Sequence, residues 1–104
     1  MLSSFTLTQG FWKKISSWGQ SGTAWLKSFS GSDPVIKIAH TDSAQNPADD
    51  IPIADAVDLN KDIAYRLPQH EISAELTADN YDDVFYATIE NSGATCEIIA
   101  DFYE

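Results

Sequence analysis

The feature that most constrains this chain is the strict alternation near its end. In Thr95-Cys96-Glu97-Ile98-Ile99-Ala100-Asp101-Phe102-Tyr103, one side presents Cys96, Ile98, Ala100 and Phe102. The other presents Thr95, Glu97, Ile99, Asp101 and Tyr103. Successive strand residues point to opposite faces, so this period of two predicts a strand with one apolar face and one mixed face. Ile72, Ala74 and Leu76 alternate with Glu71, Ser73, Glu75 and Thr77 in the same way. Asp83-Val84-Phe85-Tyr86-Ala87-Thr88-Ile89 is β-branched and aromatic, the composition of a buried strand. Asn91-Ser92-Gly93 follows it and signals a hairpin. Val35-Ile36-Lys37-Ile38-Ala39-His40 is a further short strand.

Turn residues punctuate these runs at Gly19-Gln20-Ser21-Gly22, Gly31-Ser32-Asp33-Pro34 and Asp79-Asn80-Tyr81-Asp82-Asp83. The polar stretch from Thr41 to Asp50 has no periodicity and reads as an exposed loop. Pro47, Pro52 and Pro68 disfavour long helices around them, because proline lacks a backbone donor and clashes with the preceding turn. Residues 51–59 suit either a strand or a single helical turn. The segment from Phe11 to Phe29 is ambiguous. Trp12, Ile15 and Trp18 have helical spacing, and with Lys13, Lys14 and Lys27 they would make an amphipathic helix for a membrane or partner surface. Gly19 and Gly22 break that pattern, and Ser and Thr are poor helix formers. Two strands, about Phe11–Ser17 and Thr23–Phe29, are the favoured reading. The expectation is an all-β, antiparallel chain.

With 104 residues the chain has room for one domain, 1–104. Its 43% hydrophobic content is that of a globular protein. No apolar run approaches the roughly 18 residues of a membrane-spanning helix, so no membrane partner is expected. The first residues, Met1-Leu2-Ser3-Ser4-Phe5, lack the basic start and apolar core of a secretory signal. A single cysteine makes no internal disulfide.

Charge is segregated. Residues 1–32 hold Lys13, Lys14 and Lys27 and no acid, whereas all 16 acids follow, for a net charge of −10. Binding nucleic acid relies on Lys and Arg replacing phosphate counterions, so no nucleic-acid partner is expected.

Candidate chemistry is thin. His40-x-Asp42 offers two metal ligands where three or four are needed, and His70 reads as a surface turn residue. Cys96 lies on the apolar side of its strand, where a thiol is a small core residue. Asp79, Asn80, Asp82 and Asp83, like Asp49 and Asp50, are oxygen-rich but do not match an EF-hand loop. No phosphate loop or nucleophile elbow occurs. The expectation is a protein without catalytic residues, metal or cofactor. Trp12, Trp18 and Trp25, with Phe11 and Phe29, all fall in the acid-free portion. Large rings fill cores, and they also dominate association surfaces. Phe11, Trp12, Trp18, Trp25 and Phe29 are therefore the candidate protein interface.

The run Gly10-Phe11-Trp12-Lys13-Lys14-Ile15-Ser16-Ser17-Trp18-Gly19-Gln20-Ser21-Gly22-Thr23-Ala24-Trp25-Leu26, with Val84 to Thr95, resembles small β-sandwich virion proteins of tailed bacteriophages. These are head decoration (cement) or head-fibre-like proteins. The resemblance implies a small antiparallel β-sandwich, jelly-roll or immunoglobulin-like. It also implies a non-enzymatic structural role and a symmetric homo-oligomer bound to the major capsid protein or another virion protein. The setting would be the virion, assembled in the bacterial host cytoplasm. The rival expectation is an acidic inhibitory module that mimics nucleic acid in a basic protein cleft. A calcium- or sugar-binding β module is a third.

Overall fold

The structure, a computed structural model, describes residues 2–31, 34–41, 50–55, 59–66, 73–78, 84–90 and 93–103. Within them the strands are β1 (Leu2–Leu7), β2 (Phe11–Lys14), β3 (Ser21–Gly31), β4 (Val35–Thr41) and β5 (Ile51–Pro52). After a single 3₁₀ turn (Ile53–Asp55) come β6 (Leu59–Arg66), β7 (Ser73–Leu76), β8 (Phe85–Ile89) and β9 (Ala94–Tyr103). They form a four-stranded sheet, β1-β9-β3-β7, and a five-stranded sheet, β5-β2-β8-β4-β6. All pairings are antiparallel. The all-β sandwich expected from the sequence is thus the fold.

Strand order resolves its type. β1 pairs with β9, β2 with β8, β3 with β7 and β4 with β6. The chain is one long antiparallel ribbon, doubled back near β5 and rolled until β9 also meets β3 and β8 also meets β4. That is a jelly roll with the short β5 added at one edge, and not the immunoglobulin order.

Rolling corrects two expectations. β8 and β9 do not form a hairpin across residues 91–93, because they lie in different sheets. Facing each other, their apolar rows bury one another, and Phe85 stacks on Phe102 with ring centroids 5.8 Å apart. Likewise β2 and β3 are the two strands expected, yet the turn at Trp18-Gly19 carries the chain from one sheet to the other. β3 already starts at Ser21, so Gly22 is a strand residue and not part of the turn. The reason is close packing: a Cβ on Gly22 would run into the Asp101 carbonyl oxygen of β9.

Local chemistry sets the strand ends. The Phe11 amide donates to the Thr8 carbonyl at 3.2 Å, closing a turn in which Gly10 has φ +92°. That conformation suits glycine at the third position of a β-turn. At the far end of β2, the Ile15 amide still donates to the Phe85 carbonyl (2.9 Å). The Phe85 amide then donates to Ser16 Oγ (2.8 Å), so a side chain replaces the backbone ladder there. In β3 an extra residue opposite β9, between Leu26 and Ser28, makes a bulge. It shifts the alternation by one, so that Leu26 is fully buried and Phe29 also packs on the core.

The main core lies between the sheets: Leu7, Leu26, Ile36, Ile38, Phe85, Ile89, Ile98 and Phe102 are among its members. A second cluster, Trp12, Ala39, Val84 and Tyr86, packs with Ile51 and Ile53. In the register, Ala39 stands opposite Tyr86, while Ile38 stands opposite Ala87 of the main core. The second cluster therefore occupies the outer face of the five-stranded sheet, beneath β5 and the 3₁₀ turn. This explains why β8 is buried at every position, Thr88 included, and shows no alternation of apolar and polar residues. Trp12, 1% exposed, is a core residue rather than the interface residue expected from sequence. Its ring fills the space under Ile51 and Ile53, although its Nε1 has no hydrogen-bond partner among the described residues. Replacing Trp12 by Ala is expected to cost about 3–5 kcal/mol in urea unfolding. The same change at the exposed Trp18 should stay within about 0.5 kcal/mol.

Candidate protein-binding site

The interface residues proposed from sequence do not converge. Trp12 is in the second core, and Phe29 packs against the main one. Trp25, half-buried, sits opposite Ile99 on the outer face of the four-stranded sheet. Phe11 (42% exposed) is at the start of β2, beside Pro52. Trp18 (45% exposed) lies past the other end of the same strand.

A different grouping forms around Trp18. Tyr103 is paired with Ser21, three residues beyond Trp18, and Leu2 is paired with Asp101. Trp18, Tyr103 and Leu2 thus share one end of the sandwich, with Tyr103 61% and Leu2 64% exposed. Beside them opens a cleft of about 350 Å³. Phe5, Ile15 and Phe102 give it an apolar floor, while Ser3, Ser17 and Gln20 add polar groups. The Ser17 amide donates to Gln20 Oε1 at 3.0 Å, which bends the chain around Trp18 and Gly19.

Lys14 also lines this cleft. Lys13 pairs with Asp50 (3.2 Å), Lys27 with Glu97 (3.5 Å) and Lys37 with Glu90 (3.2 Å). Lys14 has no carboxylate partner among the described residues. The end of the molecule that shows its large apolar side chains therefore also carries a cation without a carboxylate partner among the described residues, on a chain of net charge −10. Apolar anchors ringed by polar groups and one charge are the composition of a protein-docking patch. Trp18 was legible from sequence as an interface candidate. Leu2 and Tyr103 were not, because only strand register brings the two ends of the chain together.

Other candidates do not assemble into chemistry. His40 packs against Phe85, with centroids 5.5 Å apart and planes tilted by 46°. Phe85 in turn stacks on Phe102, whereas Cys96 pairs with Leu7 and Phe29 near the other end of β9. Six residues of strand, about 20 Å, separate Phe102 from Cys96, so His40 and Cys96 make no catalytic pair. Among the described residues no three His, Cys, Asp or Glu side chains are placed to hold a metal ion. Asp42, Asp49, His70, Asp79, Asn80, Asp82 and Asp83 lie outside the described residues.

Cys96 is the small core residue expected, 4% exposed, and burial pushes its thiol from 9.0 up to about 11. The neutral thiol is unreactive, because the thiolate is the nucleophile. The folded chain then holds a proton that the unfolded chain releases above about pH 9, so this group makes stability fall as pH rises between 9 and about 11. Native protein at pH 8 should leave Cys96 unmodified by a thiol reagent for as long as it stays folded, and urea should release one reactive thiol. Rapid labelling of folded protein would contradict this placement.

Compared with known proteins, the chain matches no family model, no curated protein and no solved structure. The resemblance to phage sandwich proteins therefore rests on the sequence patterns alone.

Proposed function

We propose that this protein is a non-catalytic assembly module that docks on another protein through the Trp18 end of its sandwich. The setting proposed is the surface of a bacteriophage particle, where it would act as a decoration protein in a symmetric oligomer. The single observation that carries the docking role is that exposed Trp18, Tyr103 and Leu2 share the end of the sandwich at which the cleft lined by Lys14 opens, Lys14 having no carboxylate partner among the described residues. Isolated exposed apolar side chains are ordinary, but several sharing one end of a small domain mark an association surface. A repeated shell suits such a modest patch, because many copies acting together replace strong single contacts. The virion setting is supported by the sequence resemblance only.

Mimicry of nucleic acid is the weaker reading. It needs free carboxylates in rows, whereas Asp50, Glu90 and Glu97 are each engaged by a lysine.

The test is co-sedimentation with intact phage heads. Trp18→Ser and Tyr103→Ser are each expected to reduce the pelleted fraction about tenfold, as loss of an aromatic anchor does. Asp55→Asn with Glu75→Gln should leave it unchanged. Equal losses from both sets, or no pelleting of the parent protein, would remove the assignment.

A further inference from the structure

We propose that a second copy of this chain pairs with β1, joining two four-stranded sheets into one continuous antiparallel sheet across a two-fold axis. The inference takes from the proposed function only its symmetric oligomer, and gives that oligomer a contact.

Among the described residues the two sheets end in four edge strands, β1 and β7 in one and β5 and β6 in the other. An open edge is a row of unpaired backbone groups, and proteins blunt it with short strands, proline or charge. β5 has two residues, one of them Pro52. β7 has four residues and carries Glu75. β6 is long but contains Lys61, Asp62 and Arg66. β1 has none of these devices. Its six residues, Leu-Ser-Ser-Phe-Thr-Leu, contain no charge and no proline, and all six pair in unbroken register with β9. An intact strand on one side keeps the opposite row of N–H and C=O groups aligned for a further strand.

Charge selects the partner edge as well. Two chains of −10 repel each other wherever carboxylates meet. β1 lies within the acid-free first 32 residues, so edge-to-edge approach there brings no acid of β1 against another. The sandwich is also unsealed along this edge. Ser3 and Phe5 of β1 line the cleft whose floor includes Ile15 and Phe102.

Register follows from the faces. In an antiparallel pair, opposite residues point to the same side, so outward residues must meet outward ones. Leu2, Ser4 and Thr6 are the exposed positions of β1, and Leu7 is buried. A two-fold axis through Ser4 then places Ser4 opposite its own copy and Leu2 opposite Thr6. The surface face of each sheet is preserved, and a closed dimer results with no further open β1 edge.

Sedimentation of the pure chain at tens of micromolar tests this, without any particle. The parent protein is expected at twice its 11.5 kDa monomer mass. Added salt should tighten the dimer by screening the net charge, to the extent set by the Debye length. Ser4→Lys sets like charges against each other on the axis and should weaken dimerisation at least about tenfold. The same charge placed on the other edge of that sheet, Glu75→Lys, should not. In a second readout, Ser4→Cys should oxidise to a covalent dimer, since opposed strand residues stand about 4.5–5.5 Å apart, within disulfide reach. Glu75→Cys should form no covalent dimer. A monomeric parent protein overturns the proposal, and so does a dimer that survives Ser4→Lys while Ser4→Cys fails to cross-link. Trp18→Ser should leave the dimer intact, so loss of particle binding and loss of pairing are separately visible.

Discussion

Burial of one face of β9 holds the molecule together. β9 is bonded on one side to β1 and on the other to β3. Its inward row, Cys96, Ile98, Ala100 and Phe102, forms much of the wall that the five-stranded sheet packs against. The row is effective because it is unbroken: each second residue is apolar, so the whole strand can be removed from water without stranding a charge. Glu97 and Asp101 fall on the opposite face, where Glu97 meets Lys27 in solvent. A one-residue slip would bury both carboxylates and expose Ile98 and Phe102, which fixes the register on both sides of the strand.

The second core has a different logic. β8 lies in the middle of its sheet and is covered on both faces, inside by β9 and outside by Trp12, Ile51 and Ile53. Trp12 has a buried Nε1 without a partner among the described residues, a cost offset because the ring fills a large space. The basic, aromatic N-terminal portion is thereby divided. Trp12 goes to structure, Trp25 lies half-buried on an outer face, and Trp18 is left in solvent at one end.

Function, in this reading, is a matter of surfaces rather than of reacting groups. The Trp18 end offers apolar anchors beside a cation, and the β1 edge offers unpaired backbone free of charge. The β1 edge lies in the acid-free portion, whereas the Trp18 end also takes Tyr103 from β9, so strand pairing sets the acid-free portion beside Glu97 and Asp101. Most described lysines are neutralised by neighbouring carboxylates, and Lys14 stands apart at the cleft.

Much of the fold was legible in the residues. Alternation through Thr95–Tyr103 and the β-branched run at Val84–Ile89 specify strands because side-chain period and backbone period must agree for one face to be buried. Cys96 on the apolar side, and glycines where the chain turns, are equally local. What the residues left open was every question about which strand faces which. Asn91-Ser92-Gly93 signals a turn but not whether the next strand pairs with β8 or packs over it. Trp12 and Trp18 look alike in sequence, yet one is 1% and the other 45% exposed. Leu2 and Tyr103 stand at opposite ends of the chain and share a surface only because β1 and β9 pair. Local preference acts over a few bonds, whereas these outcomes depend on contacts between residues far apart in sequence, which the rolling of the ribbon alone decides.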